Sequence, residues 1–338
     1  MIHPKVRYKQ WMAICIFAVL VLLSSAWQMT SGDYPISFVN FFKTLIGQGE
    51  YTDTLILFDF RLPRMLITLL AGAALSMSGA IIQSLTHNPL AEPGILGINA
   101  GSGFAIALFI VIGHVDVSSF VYVLPLVSMV GGVLTAIFIF AFSYSRSRGM
   151  QPTSMILVGV GISAALSGAS ITLMSTFDKR QSEFIASWFA GNIWGDEWSF
   201  VIAFIPWILL IVPFLLFKSN TLNILHTSES VAKNLGIRTN KERFILLLVA
   251  VVLSSAAVSV AGSIAFIGLM GPHIAKSIVG PRHQMFLPLS IMIGGCLLSF
   301  SDTLGQVVLQ PSGIPAGIVV AIIGAPYFLY LMYKTRSV

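Results

Sequence analysis

The chain has 338 residues, of which 19 are Lys or Arg and 13 are Asp or Glu. That is 9% charged, where a soluble domain carries about 25%. With 56% apolar residues and a mean hydropathy of +0.89, the apolar side chains exceed what a core can enclose, so much of the surface must face lipid; a soluble enzyme, a disordered chain and a disulfide-stapled secreted module are excluded.

A bilayer core takes about 20 apolar residues per helix. Runs of this kind lie near 12–29, 62–83, 95–113, 120–142, 154–175, 199–217, 244–260, 264–279, 286–304 and 314–333. They predict an all-α polytopic membrane protein with about ten transmembrane helices, built as a single transmembrane domain over 1–338. The first run follows Lys5, Arg7 and Lys9 like an export signal, but its apolar stretch is longer than such signals use, and it is read as a retained span. Cys15 and Cys296 each sit in an apolar run and read as small buried residues.

An even number of spans puts both termini on one side. If that side is the cytoplasm, the inner segments hold Lys5, Arg7, Lys9, Arg146, Arg148, Lys218, Lys233, Arg238, Lys241, Arg243, Lys276, Arg282, Lys334 and Arg336, which is 14 of the 19 basic residues. The outer segments keep Lys43, Arg61, Arg64, Lys179 and Arg180. This asymmetry predicts cytoplasmic termini and accounts for the net charge of +6 without nucleic acid. Within the runs, apart from Arg64 at the start of the second, the only Asp, Glu, Lys, Arg or His residues are His273, Lys276 and Asp302. An ion-coupled secondary transporter, the alternative from a different class, usually keeps such groups along its path.

No Gly-Lys-Ser/Thr loop is present, so ATP work is expected of another chain, and no cofactor is expected in this one. No Gly-x-Ser-x-Gly turn or zinc-type cluster occurs, which argues against a membrane enzyme; no catalytic or metal-binding residue is assigned, and His87, His114, His226, His273 and His283 look scattered. Four stretches are informative. Arg61-Leu62-Pro63-Arg64 opens the second span on the outer side, where the guanidinium groups either snorkel to headgroups or meet a partner. Asn88-Pro89-Leu90-Ala91-Glu92-Pro93-Gly94 is a stiff inner turn, and Pro152-Thr153-Ser154 is another inner turn before a span; each reads equally as a plain connection. The inner loop 218–243 predicts a short helix capped by Ser228, with Glu229 in its first turn and Gly236 past its end. Val231, Ala232 and Leu235 form its small apolar face, suited to a groove on a cytoplasmic partner or to lipid headgroups.

Several blocks together resemble the FecCD-type permease subunits of bacterial ABC importers for iron-siderophore complexes, haem and cobalamin. They are Arg61 to Arg64, Gly79 to Gln83 leading into Asn88 to Gly94, Ala232 to Gly236, Phe266-Ile267-Gly268-Leu269 with Pro272-His273-Ile274, and Gly324-Ala325-Pro326. The resemblance covers nearly the whole chain. It implies a non-catalytic permease in the bacterial cytoplasmic membrane, paired with a second permease subunit, identical or homologous. Two cytoplasmic ATPase subunits and an extracytoplasmic substrate-binding protein would complete the importer. It also implies alternating-access import of a metal chelate, with iron-siderophore first and cobalamin or haem as alternatives. Arg61 and Arg64 match arginines that meet the binding protein, and a third such arginine is replaced here by Gln306. Asn88 and Leu90 fall on the family's cytoplasmic gate, Pro152 and Thr153 on its other gate loop, and Glu229, Ala232, Leu235 and Gly236 on the helix that couples to the ATPase.

Overall fold

The computed structural model describes residues 4–32, 34–94, 96–113, 121–145, 149–150, 152–175, 179–194, 196–227, 229–310 and 313–335. Ser228, His114, Arg146, Arg148 and Arg336 lie outside the described residues. In chain order the first helices are α1 (Pro4–Thr30), α2 (Phe38–Leu45), α3 (Tyr51–Leu55), α4 (Leu62–Thr86), α5 (Ile98–Gly113), α6 (Leu124–Ser143), α7 (Pro152–Met174) and α8 (Lys179–Phe189). There follow α9 (Trp198–Phe217), α10 (Ser219–Leu225), α11 (Glu229–Asn234), α12 (Thr239–Ala261), α13 (Ile267–Val279), α14 (His283–Val308) and α15 (Ala316–Thr335). A two-residue antiparallel ribbon, β1 (Tyr144–Ser145) with β2 (Gly149–Met150), joins α6 to α7.

Each of the ten predicted runs falls on one helix: α1, α4, α5, α6, α7, α9, α12, α13, α14 and α15. Among the described residues, eight helices are long and apolar enough to cross a membrane, and α5 is shorter. Two boundaries differ from the sequence reading, each for a physical reason. The α-helical part of the second span begins at Leu62 as expected, but Tyr51–Leu55 and a π-helical stretch, Ile56–Arg61, lead into it without a break. Pro63 lacks an N–H and its ring needs room, and the widened π turn just before it supplies both. The run 264–279 is not helical throughout. Helix α13 has 13 residues, about 20 Å of rise.

The residues before α13 are non-helical and lie inside the protein, where every freed backbone group needs a partner. The Ser263 N–H donates to the Trp188 carbonyl (3.0 Å), Asn99 Nδ2 donates to the Ile264 carbonyl (3.2 Å), and the Phe266 N–H donates to Glu92 Oε2 (2.9 Å). Phe266 holds a left-handed φ of 66° in this stretch.

Helix α4 is the centre of the bundle, packed on α12, α13 and α14 and buried from Ala71 to Ser84. It approaches two neighbours backbone to backbone. A Cβ on Gly72 would lie 2.3 Å from the Gly294 carbonyl oxygen of α14, and one on Gly79 would lie 1.8 Å from the Gly268 carbonyl oxygen of α13. Ser76 Oγ donates to the Ser290 carbonyl (2.7 Å), and Ser78 Oγ donates to the Ala250 carbonyl of α12 (2.6 Å). Small residues with hydroxyl cross-links are what close helix contact in lipid requires.

Gly79→Val should therefore destabilise the purified chain by about 3 kcal/mol, the upper range for overpacking a close contact. Gly161→Val, whose added Cβ meets nothing within 4 Å, should leave it near the parent; thermal melting of both in one detergent checks the contrast.

Candidate functional site

At the end of α4 that the charge count assigns to the outside, one carboxylate organises three helices. Asp302 of α14 is 2% exposed. It accepts Arg64 Nε (3.0 Å) and Nη2 (2.9 Å), Gln28 Nε2 from α1 (2.9 Å) and Gln306 Nε2 (2.7 Å). These donors come close to filling a carboxylate's acceptor capacity. Gln28 Oε1 in turn accepts Thr68 Oγ1 (3.1 Å) and Ser299 Oγ (2.8 Å), so the network is closed and α1, α4 and α14 are tied together. Asp196, half exposed, stands 4.0 Å from Arg64 Nη1. Burial raises its carboxyl against the opposing pull of Arg64.

The sequence reading placed Arg61, Arg64 and Gln306 together facing out, and the structure does bring Arg64 and Gln306 to one point. That point is a carboxylate of the same chain, which neither motif nor spacing signalled. The clue was Asp302 itself, an acid inside an apolar run that had to find a cation. Arg61 is held separately: its guanidinium donates to the carbonyls of Met29 (2.7 Å) and Tyr34, fixing the chain that leaves α1.

The opposite end of α4 carries the turn assigned to the gate. His87 adopts a left-handed φ of 52° and stops the helix. Asn88 Oδ1 accepts the Leu90 N–H (2.9 Å), and the Asn88 carbonyl accepts the Ala91 N–H (3.2 Å), so the two prolines sit in a self-bonded turn. Leu90 packs on Leu269, Met270 and Leu331. Pro152 and Thr153 open α7, as their place before a span predicts. Glu92 was not singled out from sequence, yet it is buried and its carboxylate accepts the Phe266 N–H at the start of α13. Burial pushes its carboxyl up to about 7 against that one hydrogen bond.

The loop 218–243 contains two short helices, α10 and α11, where one was expected. Past the end of α11, Gly236 has a φ of 80°. Its N–H donates to the Lys233 carbonyl (2.9 Å) and the Ile237 N–H to the Ala232 carbonyl (3.1 Å), the paired closure that a left-handed glycine permits. Val231 and Leu235 are exposed, while Ala232 is buried and does not share their face, a correction to the grouping of the three. Its small side chain allows α11 to lie close on the protein. Asn223 and Asn220 of α10 bond Gln284 of α14, and Lys218 Nζ pairs with Glu242 of α12 at 2.9 Å. The histidines that look scattered in sequence are not all so: His87, His226 and His283 come together here.

A cavity of about 740 Å³ lies between α5, α6 and α7 and is lined by apolar groups such as Phe104, Leu108, Val130, Leu134 and Ile162. None of the site residues assigned from sequence borders it.

An all-helical bundle around a central helix, with a closed ionic network at one end and the Asn88 turn with the short helices α10 and α11 at the other, has the architecture of a polytopic membrane permease of the ABC-transporter type. The chain belongs to the FecCD transport family, whose model matches residues 16–334. It is 40% identical over 329 residues to the iron(3+)-hydroxamate import system permease protein FhuG of Bacillus subtilis, covering 96% of this chain and 97% of that one. It is 39% identical over 329 residues to the iron-uptake system permease protein FeuC of the same organism, covering 95% and 97%. A solved structure described as an inward-facing metal-chelate type ABC transporter superposes with a TM-score of 0.81 at 28% identity, covering 96% of this chain and 99% of that chain.

Because the Glu92 carboxyl is raised from 4.5 to about 7, the folded state holds a proton that the unfolded chain releases. Its contribution is greatest below pH about 4.5 and is lost as pH rises to about 7. Glu92→Gln keeps the acceptor for Phe266 and removes the titration. Melting between pH 5 and 8 should show the parent losing stability relative to the variant as pH rises; parallel curves would contradict the assignment.

Proposed function

We propose that this chain is the permease subunit of an ATP-driven importer that carries an iron(3+)-siderophore chelate across the bacterial cytoplasmic membrane by alternating access, with both termini in the cytosol. The observation that carries this reading is the end-to-end likeness to iron permeases of a chain that contains no nucleotide-binding loop of its own. Energy must then come from elsewhere: two cytoplasmic ATPase subunits beneath a pair of permeases, with an extracytoplasmic binding protein delivering the chelate.

In this scheme no bond of the substrate breaks, and the chain contributes no catalytic residue. Closure of the ATPases moves α11, where Val231 and Leu235 are exposed for contact and Glu229, Ala232 and Gly236 shape the helix. The movement reaches the gate at Asn88 and Leu90 and the start of α7 at Pro152 and Thr153. On the outer side the binding protein docks near Arg61, Arg64 and Gln306. An incoming acidic side chain would compete with Asp302 for the Arg64 fork, so docking at this point would be felt by α1, α4 and α14 together.

The test is uptake by proteoliposomes holding the full complex. Labelled ferric hydroxamate should accumulate only with loaded binding protein outside and ATP on the ATPase side, and Arg61→Glu should lower uptake at limiting binding protein about tenfold, a loss of roughly 1.4 kcal/mol. Uptake driven by an ion gradient without ATP, or selective uptake of cobalamin or haem, would contradict the reading.

A further inference from the structure

Three histidines from three elements converge at the end of the bundle that the charge count places in the cytosol. His87 closes α4, His226 closes α10 and His283 opens α14. The His87 and His226 rings are stacked with centroids 5.1 Å apart, and His226 stands edge-on to His283 at 6.3 Å. The His226 ring also approaches the Ser84 carbonyl in the last turn of α4, which favours its charged form. His283 is buried, and its Nδ1 lies 2.8 Å from Asn223 Oδ1, an oxygen that also accepts the His283 backbone N–H at 3.0 Å. The amide oxygen can only accept, so Nδ1 carries the proton and Nε2 is the unprotonated nitrogen, which faces Ser84 Oγ at 2.7 Å. With Gln83, Ser84 and Lys276 the three rings border a cavity of about 90 Å³, roomy enough for water.

These contacts join the two parts that must move together. The helix α10 leads into α11, the segment assigned to the ATPase, and α4 leads into the gate turn at Asn88 and Leu90. Ser84 is the shared point, touched by His226 through its carbonyl and by His283 through its hydroxyl. We propose that His87, His226 and His283 are positioning residues, a joint that passes motion of the coupling segment to the gate while neutral and loosens when cytosolic protons charge it. The proposal rests on the importer reading.

The charges around the joint give the sign of the effect. Arg243 of α12 and Lys276 of α13 face His87, Lys276 and His87 face His226, and no carboxylate among the described residues acts on either ring. Partial desolvation within the stack first, and then these cations, hold both imidazoles below their ordinary value of 6.5. A group depressed in this way stays neutral above its unfolded value, and the folded arrangement loses stability as pH falls below about 6.5. Each proton then adds a like charge to a stack with no anion to receive it. His87 and His226 are solvent-exposed, so protons reach them directly.

Two readouts on the reconstituted complex and the purified chain test this. Chelate uptake per ATP hydrolysed should fall about fivefold, the low end of ordinary coupling between sites, as the ATPase-side pH goes from 7.5 to 5.5. The H87Q/H226Q double variant should flatten that profile, and His226→Lys should show at pH 7.5 the poor coupling the parent shows at 5.5. Hydrogen exchange in the purified chain needs no transport: residues 84–91 and 222–227 should exchange faster at low pH, after correction for intrinsic rates, in the parent but not in H87Q/H226Q. An unchanged exchange profile, or a His226→Lys chain that couples fully, overturns the joint. A complex that never transports the chelate while its exchange pattern follows pH as described would overturn the importer reading and leave the joint standing.

Discussion

The central helix meets two of its neighbours backbone to backbone. Helix α4 meets α14 at Gly72 and Gly294 and α13 at Gly79 and Gly268, at separations where a single added carbon would collide with a carbonyl oxygen. Lipid supplies no hydrophobic force to drive helices together, so such contact must be held by dispersion and by hydroxyl cross-links, here Ser76 to Ser290 and Ser78 to Ala250. The result is a buried central helix whose orientation is fixed along its length. The Asp302 network hangs from one of its ends and the Asn88 turn from the other.

At one end the constraint is electrostatic. A carboxylate as buried as Asp302 is unfavourable unless its oxygens are satisfied, and Arg64, Gln28 and Gln306 satisfy them. Loss of one donor would leave a charge in a medium that solvates it poorly. At the other end the constraint is backbone satisfaction. The non-helical residues before α13 pass through the interior only because Asn99, Glu92 and the Trp188 carbonyl take up their polar groups. Since Glu92 lies in the same turn as Asn88 and Leu90, that turn and the start of α13 are tied together. The segment that would meet the ATPase is attached beside it, through α10 and the histidines around Ser84.

Much of this architecture is legible in the residues because lipid simplifies the problem: a run of about 20 apolar residues has few alternatives to a spanning helix. Pro63, Gly236 and the Asn88 turn behave as their chemistry dictates. What was hidden is whatever depends on which helix lies beside which. The pairing of Arg64 with Asp302 joins residues 238 apart in sequence, and the meeting of Ser84 with His283 joins residues 199 apart. No local pattern encodes those separations. The shortness of α13 was masked for a different reason: apolar composition reports burial, and Ile264 is buried, with Ala265 and Phe266 partly so, without being helical. The grouping of Ala232 with the exposed Val231 and Leu235 failed similarly, since alanine fits an exposed face and a tight buried contact equally well.

Held in this way, α4 would act as a rigid element that carries state from one face of the membrane to the other without changing length or bending. Pulsed-EPR distances between spin labels at Phe60→Cys and Thr86→Cys, with Cys15 and Cys296 replaced by serine, test this directly in the assembled complex. The separation, about 39 Å for a continuous helix, should agree within about 2 Å between nucleotide-free and ATP-trapped states, as expected of rigid-body motion. A change of more than about 4 Å would mean that the helix kinks during the cycle, and the outer and inner sites would then not be joined as described.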